Sequence, residues 1–202
     1  MTVAQPNDAP RVVIAEDEAI IRMDLAEMLQ EEGFDVVGEA ADGRQAVDLA
    51  REHRPDLVIL DIKMPGMNGI RAAEMITQER IAPVLILTAF SQRDLAAQAA
   101  QAGAMAYLVK PFQKSDLMPA IEVALERYNE VARLEGEVSE LADRLEARKL
   151  VERAKGILVE EGLGEAEAYR FMQRAAMDRG LKLGEIARLV IEGGLGDLPK
   201  TF

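Results

Sequence analysis

Between residues 11 and 127, short runs of branched apolar residues are each followed by a helical pattern, five times over, and this alternation fixes the fold class. Arg11–Ala15 (RVVIA) precedes a helix through Asp24–Glu32 that stops at Gly33. Phe34–Gly38 precedes a helix over Gly43–His53, broken by Pro55, and Asp56–Leu60 (DLVIL) leads into a loop rich in Gly and Pro. A helix to Arg80, the run Val84–Leu87, a helix through Leu95–Ala102 and the run Ala106–Val109 complete the series. Strands that are apolar throughout, rather than alternating, belong to a parallel sheet covered on both faces. Such a sheet binds its ligand outside the carboxyl ends of the strands.

From Ser115 onward the pattern is helical only. Leu117, Ile121, Ala124, Tyr128 and Val131 step by 4, 3, 4 and 3; Leu134, Val138, Leu141 and Leu145 follow after one extra step of 3. That is a heptad with a stammer beside Gly136, where the helix is expected to be overwound or bent. After Leu145 the apolar side turns almost opposite, to Leu150, Val151, Ala154, Ile157 and Leu158. One helix therefore serves two contacts, first a coiled coil over 115–147 and then a small bundle over 148–193. Glu165–Arg179 and Leu183–Ile191 are the bundle's other helices. Residues 1–10 read as a disordered leader and 194–202 as a flexible tail.

Composition excludes several classes. With no cysteine there is neither a disulfide framework nor a thiolate metal site. No apolar run approaches the ~20 residues that span a bilayer, so no membrane partner and a cytoplasmic location are expected. The net charge of −12 opposes attraction of the whole chain to nucleic acid. The charge is uneven, however: residues 1–127 hold 21 acidic and 12 basic side chains, while 148–188 hold 7 acidic and 9 basic. Only the C-terminal part suits a polyanion.

The strand ends carry the candidate chemistry. Glu16 and Asp17 follow the first run, Asp61 ends the third, Thr88 the fourth and Lys110 the fifth. Three carboxylates at one sheet edge repel, and a hard cation with oxygen ligands relieves them; Mg²⁺ suits because phosphate oxygens usually complete its shell. Asp61 is then positioned as a nucleophile toward a phosphoryl group, with Lys110 stabilising the transferred charge. An Asp at a strand end is ordinarily a solvated turn residue; the conjunction of five residues at four strand ends argues otherwise.

The phrases IAEDE, LVILDIKMPGMNG, LILTA and AYLVKPF, in this order, resemble the receiver domains of two-component response regulators. The resemblance covers residues 11–127 and implies a flavodoxin-like (βα)5 fold with strand order 2-1-3-4-5. It further implies that Asp61 is the phosphoacceptor, Glu16 and Asp17 the acidic pair for Mg²⁺, and the Lys63 carbonyl a further metal ligand. Thr88 and Lys110 would contact the phosphoryl oxygens, Lys110–Pro111 would be cis, and Tyr107 would be the switch aromatic. A haloacid-dehalogenase-type phosphatase is the competing α/β reading, but it needs a carboxylate two residues after the nucleophile, where this chain has Lys63.

On the C-terminal section, the side of the first helix opposite the apolar stripe carries Arg148, Lys149, Arg153, Lys155 and Gly156, and the second helix exposes Arg170 and Arg174. A solvated, ion-paired face is the ordinary explanation. Gly156 argues against it, because an exposed mid-helix Gly costs about 1 kcal/mol relative to Ala and suits close approach of a partner backbone. Arg179 and Lys182 flank Gly180; Phe171 has core spacing, and Tyr169 sits at the stripe's edge. RKLVERAKGILVEEGLGEAEAYRFMQRAAMDRGLKLGEIARLVI resembles the ANTAR domain, a three-helix RNA-binding module, and the whole order resembles the AmiR/NasT regulators. That resemblance implies transcription antitermination through paired RNA hairpins by a dimer switched by phosphorylation, with a sensor histidine kinase as phosphodonor. On this reading Lys155→Ala weakens RNA binding and lowers its salt slope. A DNA-binding regulator is the alternative, though the third helix (LGEIARLVIEG) is a poor reader of bases. His53, the only histidine, has no partner in any motif.

Overall fold

The structure is a computed structural model that describes residues 9–89 and 93–193. The expected leader (apart from Ala9 and Pro10) and the tail at 194–202 lie outside the described residues. The chain divides into two compact units, Met1–Val131 and Ala132–Phe202.

In the first unit the five runs form strands β1 (Arg11–Ala15), β2 (Asp35–Ala40), β3 (Leu57–Asp61), β4 (Val84–Ala89) and β5 (Ala106–Lys110). They lie side by side in the order β2-β1-β3-β4-β5, all parallel. Between them run α1 (Ala19–Glu31), α2 (Gly43–His53), α3 (Gly69–Gln78) and α4 (Arg93–Gln101), and after β5 comes α5 (Lys114–Glu160). This is the flavodoxin-like receiver architecture. The period-2 geometry of a strand explains the uninterrupted apolar runs. Val13, Ala15, Val58, Leu60, Val84 and Ile86 face α2, α3 and α4 on one side. Val12, Ile14, Leu57, Ile59, Leu85 and Leu87 face α1 and the start of α5 on the other.

Local chemistry sets the element ends. The Asp42 carboxylate accepts from Arg44 N–H at 2.8 Å and Gln45 N–H at 2.9 Å, capping α2. The Asn68 side chain accepts from Arg71 N–H at 2.9 Å, capping α3. The helix expected from Asp24 begins five residues earlier, at Ala19, because Ala19–Met23 has no breaker and continues the pattern.

In the second unit, α5 passes unbroken through Gly136 to Glu160, and Gly162 (φ +103°) turns the chain out of it. Helices α6 (Glu165–Arg179) and α7 (Leu183–Ile191) follow. Val151, Ala154 and Leu158 of α5 pack with Ala168, Met172, Ala175, Ile186, Ala187 and Val190 in a separate core. Each short helix starts with a Glu at its third position reaching back: Glu167 accepts from Gly164 N–H at 2.9 Å and Glu185 from Lys182 N–H at 2.7 Å. The turn of the apolar side after Leu145 is real: Val138, Leu141 and Leu145 are exposed, whereas Val151, Ala154 and Leu158 are buried.

Candidate functional site

The carboxyl ends of β1, β3, β4 and β5 bring together residues that are far apart in sequence. Carboxylate oxygens of Glu16, Asp17 and Asp61 all lie within 4.8 Å of one another. Glu16 is fully buried, Asp61 and Thr88 nearly so, and Asp17 is exposed at the mouth. Lys110 Nζ reaches in from the end of β5, bonding Asp61 Oδ1 at 2.8 Å and pairing with Glu16 Oε2. Asp61 Oδ2 accepts from Lys63 N–H at 2.9 Å, so each Asp61 oxygen has a donor. Lys110–Pro111 is cis.

Electrostatics follow from the burial. Glu16 is raised above the ordinary carboxylate value, first by desolvation and then by the neighbouring Asp61 charge, against the opposing pull of Lys110. For Lys110, burial alone would lower the ammonium; hydrogen bonds to Asp61 and Glu16 outweigh it and hold the group above its usual value. The donor set is entirely hard oxygen at a spacing one ion can bridge, which fits Mg²⁺. Among the described residues the Thr88 hydroxyl makes a long bond, 3.4 Å, to the Ala89 carbonyl, and Tyr107 is 55% exposed on β5.

Two contributors were not singled out in the sequence. Arg22 of α1 donates to the Glu16 carbonyl oxygen and sits 3.4 Å from Glu39 of β2, tying the acidic loop to the helix behind it. Gly69 opens α3 so close to β3 that an added Cβ would lie 1.9 Å from the Asp61 carbonyl oxygen. The available signal for Gly69 was a glycine at a first helical position, where a better helix former serves elsewhere. Arg22 had only its place five residues after Asp17.

On the second unit, Arg148, Lys149, Arg153, Arg170 and Arg174 are exposed, and Gly156 has open space where a side chain would stand. Among the described residues no contact explains this glycine. Lys155 departs from the expected open face. It follows the buried Ala154, its side chain is only 19% exposed, and Nζ is held by Glu152 at 3.0 Å and Glu165 at 2.9 Å. The Glu165 and Glu152 hydrogen bonds raise the ammonium above its usual value. Lys149 lies 3.8 Å from Glu146, and Arg170 Nε donates to its own helix at Ala166 O, 3.2 Å. Among the described residues, Arg148, Arg153 and Arg174 have no ion-pair partner. Phe171 packs against the small core, and Tyr169 is exposed.

Comparison with known proteins matches this division. Residues 12–122 match the response regulator receiver domain and residues 139–191 the ANTAR domain. The chain belongs to the response regulators with an ANTAR output domain. The transcriptional regulatory protein PdtaR of Mycobacterium tuberculosis is 61% identical over 183 residues, covering 90% of this chain and 89% of that one. The chemotaxis protein CheY of Bacillus subtilis is 42% identical over 118 residues, 58% of this chain and 98% of that one. Among solved structures, the signal receiver domain of a modulated diguanylate cyclase from Desulfovibrio desulfuricans aligns with a TM-score of 0.56. Its identity is 28%, over 60% of this chain and 98% of that one.

In this ANTAR response regulator, the receiver match encloses Glu16, Asp17, Asp61, Lys63, Thr88, Tyr107 and Lys110. The ANTAR match encloses Arg148, Lys149, Arg153, Lys155, Arg170 and Arg174, and also Leu141 and Leu145 of the exposed heptad. No helix among the described residues is long and apolar enough to cross a membrane.

Proposed function

We propose that this chain is a cytoplasmic transcription antiterminator, phosphorylated on Asp61 by a sensor histidine kinase and acting as a dimer on paired RNA hairpins. The observation that carries the input half is the Asp61 carboxylate: buried, held by donors on both oxygens, and flanked by Glu16 and Asp17.

The chemistry follows from that setting. Lys110 and Lys63 N–H fix the carboxylate, so little reorganisation is needed for in-line attack. One Asp61 oxygen forms a bond to phosphorus as the phosphorus–nitrogen bond of the kinase's phosphohistidine breaks, and the departing imidazole takes up a proton. Bound through Glu16, Asp17, Asp61 and the Lys63 carbonyl, Mg²⁺ would neutralise charge on the phosphoryl oxygens. Lys110 supplies a second positive charge there, and burial strengthens it. The chain's own catalysis is limited to its phosphorylation and dephosphorylation. The new dianion attracts the weakly held Thr88 hydroxyl, and the space it leaves admits the exposed Tyr107 ring.

The output half rests on the ANTAR match together with unpaired arginines around the vacant surface of Gly156. Duplex DNA is disfavoured by α7: Ile186, Ala187 and Val190 are buried, and its polar side offers Arg188 beside Glu185 and Glu192. A gel shift with two-hairpin leader RNA, with and without phosphate on Asp61, tests the whole reading. Phosphorylation should tighten RNA binding, and duplex DNA should compete poorly. Phosphorylation of Asp61→Asn by acetyl phosphate, or tighter binding to promoter DNA, would overturn the corresponding half.

A further inference from the structure

Five apolar side chains of α5 are left to solvent. Val131, Leu134, Val138, Leu141 and Leu145 are all exposed, and none belongs to a buried cluster. They step by 3, 4, 3 and 4, which places Val131, Val138 and Leu145 at heptad position a and Leu134 and Leu141 at d. A stripe of this spacing is made for another helix.

We propose that its occupant is a second copy of the same stripe lying antiparallel. This rests on the dimeric reading above and adds an orientation to it. The flanking charges discriminate. Taking that register, Glu130, Glu137 and Arg144 occupy g, and Glu135, Ala142 and Lys149 occupy e. Parallel pairing sets each g residue against the e residue five positions on in the other copy. It would oppose Glu130 to Glu135 and Arg144 to Lys149, like charges in both cases, and would stack Arg148 upon itself at d.

Antiparallel pairing avoids each of these. The register that opposes Leu134 to Leu145, and Val138 to Leu141, of the second copy uses all four of these side chains. It brings Glu137 to Arg144 and Glu135 to Lys149, each contact occurring twice by symmetry, and separates the two Arg148 side chains. The wider charge pattern agrees: residues 126–141 hold five acidic and two basic side chains, and 142–156 three acidic and five basic. A helix acidic in one half and basic in the other is complementary to its own reverse. The pairs made within one helix, Arg133–Glu137, Arg144–Glu140 at 2.6 Å and Lys149–Glu146 at 3.8 Å, are all exposed and can be shared.

The functional consequence is spatial. With the two-fold axis between residues 139 and 140, the two Arg153 side chains lie about 40 Å apart along the seam, at a rise of 1.5 Å per residue. Two hairpins bound by one dimer would be held at opposite ends rather than side by side.

The absence of cysteine makes the test direct. Full-length Leu134→Cys and Leu145→Cys variants, one with a longer tag, are mixed, phosphorylated with acetyl phosphate and mildly oxidised. The expected product is the mixed disulfide between the two variants. Each variant linking only to itself would overturn the antiparallel orientation while leaving the dimer standing. Sedimentation gives an independent reading should the cysteine variants pack poorly. At low salt Glu135→Lys should weaken dimerisation about threefold or more, and adding Lys149→Glu should restore it. A tighter dimer in Glu135→Lys would sink the proposal. A wild-type chain that stays monomeric with and without phosphate would remove the dimeric reading itself, and the orientation with it.

Discussion

Glu16 is ionised at a cost, since it is fully buried beside a second carboxylate, and this makes its protonation a handle on the pocket. A carboxyl raised in the folded state adds stability that is complete below its unfolded pKa and is lost as pH rises through the folded one. A cation that needs the ionised form offsets that loss. Mg²⁺ should therefore raise the melting temperature of the receiver more at pH 7.5 than at pH 5, and Glu16→Gln should flatten the difference; calorimetry at the two pH values checks both. At Gly69, substitution by Ala forces a Cβ against the Asp61 carbonyl, so phosphorylation by acetyl phosphate should slow by about tenfold or more, as expected of an ångström-scale misplacement. The C-terminal lysine is a different case. With Glu152 and Glu165 already on Lys155, its removal should loosen the α5–α6 contact more than it changes the salt dependence of RNA binding. Arg153→Ala or Arg174→Ala should instead reduce the log–log salt slope by about 0.7 to 0.9 per lost phosphate contact. Affinities at four salt concentrations separate the two behaviours.

Among the elements, what was legible in sequence was what periodicity controls. The β3 run DLVIL and the β4 run VLILTA announced doubly covered strands, and Gly180 announced the end of α6, whose φ of +63° a glycine accepts at little cost. The pocket was legible because a parallel sheet gathers its strand ends, so that Glu16, Asp61, Thr88 and Lys110 needed no measured distance to be associated. Lys155 misled for a local reason. One step of 100° from Ala154 leaves it at the edge of the buried stripe, within reach of Glu165 on the next helix, and that neighbour is set by tertiary packing. The start of α1 was missed because Glu18 gives no side-chain cap to mark it. Where caps do exist their removal has a known scale: Asp42→Ala, which orphans two N–H groups, should cost about 1 kcal/mol in the receiver's unfolding free energy.

For the whole molecule, the buried clusters of the first unit end at Leu125 and that of the second begins at Leu150. Ile186→Ala, which empties space in the second core alone, should destabilise that unit by about 2–5 kcal/mol and leave the Mg²⁺ response of the receiver intact; scanning calorimetry with and without the ion resolves the two effects. The unbroken course of α5 from Lys114 to Glu160 has a further consequence, for how such a chain can change length over generations. A single inserted or deleted residue between Leu145 and Val151 would swing the small core's face by about 100° around the helix, whereas seven would nearly restore it. Viable relatives should therefore differ there by lengths close to whole helical turns, about seven, eleven or eighteen residues, or not at all, a grammar of length imposed by one continuous helix.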